Sequence, residues 1–262
     1  RKQRESKLEL DDRRSDIIIA GSLLLQESFR ILGIRKMTFS PFALREGVVF
    51  DSFNRSVRSK ELASIRRSSV LQLAGRMVPQ EGPASGCAAL CLDIAESLQK
   101  LGVVDLDDTE RELLEFSALL HNCGISIAHS AHHKHSHYII KNSEMLLGFT
   151  EREINVIAAI ARYHRKAMPS KKHEAYDCLN KADRKLVKLL AGILRIAIGL
   201  GRGEAGRVHH VEADKQGQEI LFYIRPKNKD EIDLSLELHG AQLRKELLEL
   251  ALKRSIEFRI PE

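Results

Sequence analysis

The stretch LLHNCGISIAHSAHHKHSHYII, residues 119–140, concentrates six of the chain's 11 histidines. It begins with His121 directly before Asn122. An adjacent imidazole and carboxylate would bind a divalent metal ion, which lowers the pKa of bound water and stabilises phosphoryl oxygens. Asn122 carries an uncharged amide where a carboxylate would be needed. The stretch could therefore be a metal site, the remains of a metal site, or a site that binds an anion.

The other histidines of this stretch form a polar run with Lys134, and they are His129, His132, His133, His135 and His137. Three interpretations of the run stay open. It could bind a metal ion, although the candidate i, i+4 histidine pairs have no evident carboxylate beside them. It could be a hydrogen-bonding loop that packs a helical domain. It could face an anion together with the later segment RYHRK.

Phosphate suits the third interpretation on chemical grounds. Arginine and lysine bind phosphate through charge-assisted hydrogen bonds, and a neutral imidazole donates one more. The pKa of an imidazole rises beside an anion, which adds positive charge. On this interpretation the sequence predicts a set of phosphate-binding residues from this region: His129, His133, Lys134, His135, His164, Arg165 and Lys166.

The formal net charge of +6 is unevenly distributed. Ten arginines and lysines lie between Arg162 and Arg195, opposed only by Glu174, Asp177 and Asp183. Such a run is typical either of a solvated helical face or of a surface for a polyanion. Because the chain has no Trp and few aromatic residues, it lacks the stacked rings of a nucleic-acid platform, and no specific nucleic-acid partner is predicted.

Composition indicates a soluble globular protein, with 43% hydrophobic and 30% charged residues. No apolar run approaches the ~20 residues that span a bilayer, so no membrane partner is predicted. The four cysteines, in or beside apolar segments, are typical of reduced thiols in a cytoplasmic protein. The sequence begins without Met or a signal peptide, and we expect it to be a fragment whose start is missing.

Helical periodicity dominates the chain. Residues 15–32 predict a helix capped by Ser15 or Asp16, followed by a short strand and a turn at Ser40-Pro41. Residues 78–86 predict a loop, and residues 87–205 predict helices, two of which begin at capping boxes made by Thr109 with Glu112 and Thr150 with Glu153. In the last 55 residues we predict strands in HHVEAD, QEILFYIRP, EIDLSLEL and IEFRI, with an amphipathic helix in GAQLRKELLELALKRS.

Three stretches together resemble the exopolyphosphatase / guanosine pentaphosphate phosphohydrolase (Ppx/GppA) family. They are RRSDIIIAGSLLL with FSPFALREGVVFD, the long segment from LLHNCGISIAHS to IAAIARYHRK, and ILRIAIGLGR before the strand-rich tail. The resemblance implies a mainly α fold in three parts. Residues 1–55 would be the tail of an actin-like α/β domain, residues 56–205 a degenerate HD-like helical domain, and residues 206–262 a small α+β module.

The resemblance also argues against a metal site in this chain. An earlier helix should supply a histidine near residues 84–87, and none is there; Ile198 and Gly201 stand where HD proteins tend to carry aspartate. His121 and Asn122 are therefore predicted to be vestigial positions, with His121 a hydrogen-bonded structural residue. No metal or catalytic residue is predicted here, and no cofactor is expected in the fragment, whereas the full-length parent would use Mg²⁺.

In the parent, the resemblance implies hydrolysis of a terminal phosphoanhydride, with the catalytic loops in an amino-terminal part that this sequence lacks. The fragment alone is expected to be inactive, contributing polyphosphate binding and a homodimer interface. The alternatives are guanosine pentaphosphate as substrate, or a non-enzymatic regulatory or dimerisation module. Arg45 belongs to the predicted phosphate-binding set if it faces the interdomain cleft; otherwise it forms a structural ion pair with Glu46.

Overall fold

A computed structural model describes residues 12–37, 60–77, 82–201, 207–227 and 233–261. The chain divides into two compact units, residues 1–57 and 58–262. Arg45 and the strand and turn predicted around Ser40-Pro41 lie outside the described residues. Within the described residues, no helix has the length and apolar character needed to cross a bilayer.

In the first unit the structure describes one long helix, α1, spanning Asp12–Leu32. The cap predicted at Ser15 or Asp16 is wrong, because both residues already lie inside the helix. The helix ends at Gly33, whose φ of 66° is a left-handed conformation that glycine adopts without steric cost. The backbone N–H of Ile34 then turns back to donate to the carbonyl of Phe29 at 3.0 Å.

The second unit begins with helices packed around a shared apolar core. Their described bounds are α2 Lys60–Met77, α3 Gly82–Lys100, α4 Asp108–Leu120, a 3₁₀ turn Cys123–Ser126, α5 His132–Asn142, α6 Glu151–Arg162, the short α7 Glu174–Asp177 and α8 Lys181–Leu200. The loop predicted over residues 78–86 is wrong from Gly82 onward, where α3 has begun. Pro83 lies in the first turn of that helix, where its missing N–H costs nothing.

Capping boxes define the starts of two of these helices. The box predicted at Thr150 and Glu153 is confirmed at the start of α6. The box predicted at Thr109 and Glu112 is wrong. The box of α4 begins two residues earlier, with Asp107 as the cap and Glu110 as its partner. The extended backbone of Asp107 lets its carboxylate accept the Glu110 N–H at 2.7 Å. Aspartate caps a helix as well as threonine does, so the sequence contains two possible capping boxes, Asp107 with Glu110 and Thr109 with Glu112.

The strand-rich tail packs onto this helical body. Its elements are β1 Val208–Gln216, β2 Glu219–Pro226, α9 Ser235–Gln242, α10 Glu246–Leu252 and β3 Ser255–Arg259. In the three-stranded sheet, β2 is central, antiparallel to β1 and parallel to β3. The described fold is therefore mostly helical with a small sheet, as predicted. The division of the chain into three domains stays a prediction, as do the actin-like character of the first part and the HD-like character of the second.

Two predictions for the tail are wrong. The strand predicted in EIDLSLEL is helical from Ser235 onward. The single helix predicted in GAQLRKELLELALKRS is divided between the end of α9 and α10, with a turn over residues 243–245. Apolar and polar residues alternate in EIDLSLEL because a charged residue, Glu237, takes an inward position of α9. Glu237 is fully buried and pairs with Arg207 at 3.3 Å. The predicted strands HHVEAD, QEILFYIRP and IEFRI are confirmed.

Helix α8 joins the helical body to the tail through direct backbone contact. A Cβ added to Gly192 would lie 2.8 Å from the Cα of Leu248 in α10, and one added to Gly199 would lie 2.5 Å from the carbonyl oxygen of Gly240 in α9. Real Cβ atoms do not approach so closely, so both positions require glycine. This close packing fixes α8 against the two helices of the tail.

Candidate anion-binding site

The histidine-rich stretch is mostly helix rather than loop. It runs from the end of α4 through the 3₁₀ turn into α5, with His129 in the connection and Ala131 in a left-handed conformation at φ 53° before α5. The buried hydroxyl of Ser136 donates to the carbonyl of His121 at 2.7 Å and accepts the N–H of Gly124 at 2.9 Å. Ser136 therefore ties the end of α4 to α5 and sets the positions of the histidines on both.

His121 is buried and bound to its own helix. Its Nδ1 lies 2.6 Å from the carbonyl oxygen of Ala118, so that this nitrogen carries the proton and donates. Its ring packs edge-on against the ring of His164, with centroids 5.1 Å apart. Burial lowers the pKa of His121 to about 4, and the imidazole is accordingly neutral near pH 7.

His132 and His164 form a stacked pair beside it. Their Nε2 atoms are 3.2 Å apart, and the ring centroids are 5.2 Å apart with 23° between the planes. The Nδ1 atom of His164 lies 2.6 Å from the carbonyl oxygen of Ala161, and that of His132 lies 3.0 Å from the carbonyl oxygen of His129. Burial lowers the pKa of both rings, and that of His164 falls well below its ordinary value.

A cationic pocket lies next to this pair, to which it is linked by Arg165. Its volume is about 330 Å³, and the described residues that line it are Ala131, His133, Lys134, Arg162, Tyr163, Arg165, Lys166, Ala167 and His173. This lining supplies four side chains with a permanent positive charge and no carboxylate. The charge of this lining is therefore of one sign, which would suit an anion.

Two polar atoms in the lining are buried without a hydrogen-bond partner. They are Nδ1 of His133 and Nε of Arg162. His133 is only 6% exposed, and burial together with Arg162 and Arg165 lowers its pKa to about 4. Buried polar groups in folded proteins are generally paired, so two unpaired nitrogens on neighbouring residues of the lining are unusual.

Arg195 holds residues 163–167, called the pocket loop, which include four of the residues of this lining. From the interior of α8 its Nε donates to the carbonyl of Tyr163 at 2.7 Å, and its Nη2 donates to Lys166 and Ala167 at 3.0 and 2.8 Å. Lys166 has a φ of 57°, which the fixed loop maintains. Tyr163 extends the support through its hydroxyl, 3.0 Å from Nδ1 of His173.

The structure brings together only part of the predicted phosphate-binding set. His133, Lys134, Arg165 and Lys166 line the pocket, and His164 lies behind it against His132. His129 and His135 are not among the residues that line it.

The prediction from sequence missed Arg162, Tyr163 and His173 as lining residues and Arg195 as their support. The signal for Arg195 was a lone arginine within the apolar segment ILRIAIGLG.

The described residues do not fit a Mg²⁺ ion. Magnesium takes oxygen ligands, largely carboxylates, whereas His121 is surrounded by imidazoles. Across the described part of the chain, no group of three or more histidines, cysteines or acidic residues is arranged to hold a metal. Burial also raises the pKa of the Cys123 thiol to about 11, which leaves it protonated and a poor ligand.

Comparison with protein families assigns almost the whole chain. Residues 65–254 match the model described as Ppx/GppA phosphatase, domain III, and residues 1–56 match the model of the Ppx/GppA phosphatase family. The chain belongs to the Ppx/GppA phosphatase family. The pocket, its histidine pair and Arg195 all lie within the segment matched to domain III of that family.

Two Ppx/GppA relatives carry the name guanosine-5'-triphosphate,3'-diphosphate pyrophosphatase. The protein of Pseudoalteromonas translucida (strain TAC 125) is 32% identical over 188 residues, and that of Pseudoalteromonas atlantica (strain T6c / ATCC BAA-1087) is 27% identical over 188 residues. Each match covers 72% of this chain and 36% of the relative. The chain thus spans little more than a third of the length of these relatives.

Proposed function

We propose that this chain binds the phosphate groups of a phosphoanhydride substrate for a Ppx/GppA hydrolase, of which it forms the carboxy-terminal region. The observation that supports this most directly is the pocket lined by Lys134, Arg162, Arg165 and Lys166 without a carboxylate. Hydrolysis itself is assigned to the parts of the full-length protein that precede this sequence.

The chemistry of the pocket favours a multiply charged anion. Four fixed positive charges around about 330 Å³ repel one another, and an anion with several charges relieves that repulsion. Guanidinium groups pair with phosphate through two parallel hydrogen bonds, and lysine adds a point charge. His133 also lines the pocket, and a neutral imidazole can donate one hydrogen bond.

Two substrates share this chemistry. Inorganic polyphosphate is a polymer with roughly one charge per phosphate, and a pocket away from the reacting end would retain the polymer between successive cleavages. The alternative is guanosine pentaphosphate, which is favoured by the names of the two relatives. A homodimer, a cytoplasmic location and Mg²⁺ bound by the parent outside this chain complete the proposal.

The test uses the full-length protein and compares long with short polyphosphate. In the double variant Arg165→Ala/Lys166→Ala, we expect KM for long chains to rise about tenfold, since two charge-assisted hydrogen bonds are lost. KM for tripolyphosphate should change much less. The matched control is Lys171→Ala/Lys172→Ala, which removes the same charge from exposed positions outside the pocket lining.

Equal shifts in KM for long and short chains would contradict polymer retention by this pocket. Guanosine pentaphosphate is assayed in parallel with the same variants. A rise in its KM with polyphosphate unaffected would assign the pocket to the nucleotide. Binding of polyphosphate by a full-length protein that hydrolyses neither substrate would instead support a regulatory, non-enzymatic role.

A further inference from the structure

The hydrogen-bond contacts of the His132–His164 pair require more protons than two neutral rings possess. Each Nδ1 faces a backbone carbonyl, at 3.0 Å for His132 and 2.6 Å for His164, and a carbonyl can only accept. The Nε2 to Nε2 contact of 3.2 Å needs a proton of its own. Three N–H groups are therefore needed if all three contacts are hydrogen bonds at once, whereas two neutral imidazoles supply two.

Arg165 offers the pair a second arrangement. Its Nη1 lies 3.2 Å from Nδ1 and 3.5 Å from Nε2 of His132, and it can donate to Nδ1, the nearer nitrogen, only if that nitrogen is unprotonated. In that arrangement His132 is neutral, its single N–H at Nε2 donates to His164, and the carbonyl of His129 receives no bond from the ring. With one further proton on Nδ1, His132 donates to His129 and the contact from Arg165 is lost.

The two arrangements differ in where Arg165 directs its charge. Arg165 also lines the cationic pocket, so the guanidinium that contacts His132 is one that an anion would attract. We propose that the pocket binds its anion together with one proton, which the His132–His164 pair takes up as Arg165 turns from His132 to the anion. This inference rests on the proposed function and adds a pH-dependent regulation to the same site.

The surroundings of the pair explain why it is protonated only when the anion binds. Several neighbouring groups lower the pKa of the two rings electrostatically. They are His121 at the end of α4, His129, His133 and His135 on or before α5, and Arg165 beyond α6. Arg162 and Lys166 act on the adjoining His133. A proton added to this cationic neighbourhood is unfavourable while the pocket is empty, and burial adds to that cost. A bound anion offsets it.

A metal ion between the two Nε2 atoms is the competing explanation of their short separation. It would need further ligands, and the described residues contain no group of three or more metal-binding side chains arranged for one. A proton needs only the two ring nitrogens, which already face one another.

Titration calorimetry of the 262-residue chain with trimetaphosphate tests the proposal. This cyclic phosphoanhydride has no group that titrates near neutral pH, so protons taken up must come to the protein. At pH 7, we expect the apparent enthalpy to vary with the ionisation enthalpy of the buffer, with a slope approaching one proton. The affinity should fall by up to about tenfold for each unit of rising pH.

His132→Gln and His164→Gln should bind trimetaphosphate without this slope, whereas His209→Gln, an exposed histidine on β1, should retain it. If these variants do not fold, ring ¹⁵N shifts of the unsubstituted chain carry the test, and both histidines must gain a proton when trimetaphosphate is added.

Binding with no dependence on the buffer overturns the inference alone, and so does a slope retained in both His132→Gln and His164→Gln. Binding that requires a transition metal removable by a chelator also overturns it. If the chain binds neither trimetaphosphate nor long polyphosphate, the proposed function fails, and the inference fails with it.

Discussion

Arg195 and Lys166 are joined by a hydrogen bond of 3.0 Å from the guanidinium to the backbone carbonyl, across the interior between α8 and the pocket loop. Arg195 is only 6% exposed, and all its oxygen partners are backbone carbonyls. It therefore positions the loop and does not offer its charge to the pocket. Burial lowers the pKa of Arg195, which shows the cost of keeping a charge there.

We expect Arg195→Leu to lower the free energy of unfolding by about 2–4 kcal/mol, because the buried carbonyl of Tyr163 and two partly buried carbonyls lose their donor. We also expect it to weaken trimetaphosphate binding, since the loop is no longer held. Urea unfolding and calorimetry measure the two effects. Arg254→Leu, which removes a half-buried arginine whose hydrogen bonds to Gly217 and Gln218 lie at the surface, is the control. An Arg195→Leu chain that binds trimetaphosphate as the parent does would show that the loop keeps its shape unaided.

The glycines of α8 predict a second, purely steric effect. Gly199→Ala places a methyl group against the backbone of Gly240, and we expect a loss of about 1–3 kcal/mol in unfolding free energy. Gly75→Ala is the matched control, because a Cβ there has open space within α2. This control should stabilise the chain by about 0.5–1 kcal/mol. Similar effects at both positions would mean that α8 and α9 separate readily.

Stability should also fall in mild acid. The pKa of His121 is about 4 in the folded chain and about 6.5 when unfolded. Between these values the unfolded state binds more protons, so stability present above pH 6.5 is lost as the pH falls toward 4. From pH 7 to 5 the loss from this group is about 2 kcal/mol.

Replacing His121 by Gln should reduce the loss of stability between pH 7 and 5 by about this amount, as measured by urea unfolding in an anion-free buffer. The remaining loss comes from other histidines with a lowered pKa, such as His133 and His164. The variant His209→Gln, at an exposed position, should leave the dependence unchanged. If His121→Gln and the parent lose the same stability between the two pH values, the imidazole of His121 does not titrate as a buried group.

Ser136 predicts a fourth effect, on the junction between α4 and α5. Ser136→Ala leaves the buried N–H of Gly124 without its acceptor, and we expect a loss of about 1–3 kcal/mol in unfolding free energy. Ser126→Ala, whose exposed hydroxyl donates to the carbonyl of Cys123, should cost much less. Hydrogen exchange at the Gly124 amide gives a local check. Its rate should rise in Ser136→Ala and stay at the parent value in Ser126→Ala.

Sequence patterns predicted the helical body and three strands because each of these elements has one clear periodicity. The strand predicted in EIDLSLEL was wrong because the buried charge of Glu237 occupies an inward position of a helix. Its partner, Arg207, comes from a distant part of the chain. The second capping box failed for a local reason, since Asp107 and Thr109 are both competent caps.

The candidate site was predictable only in part. The segment RYHRK and the histidine run pointed to phosphate, and the structure places His133, Lys134, Arg165 and Lys166 at one cavity. Sequence alone could not separate these from His129 and His135, because the direction of each side chain depends on where α5 begins. The role of Arg195 depends on a hydrogen bond between residues about 30 positions apart, which no local pattern encodes.

Helix α8 carries Gly192, Arg195 and Gly199 within two turns, and each has a partner in a different element. Each residue added to an α-helix rotates the rest of the helix by about 100° and advances it by about 1.5 Å. A single insertion or deletion between Gly192 and Arg195 would therefore remove either the glycine contacts with the tail or the carbonyls of the pocket loop. The length of this segment is consequently less tolerant of change than the identity of the apolar residues between its fixed points.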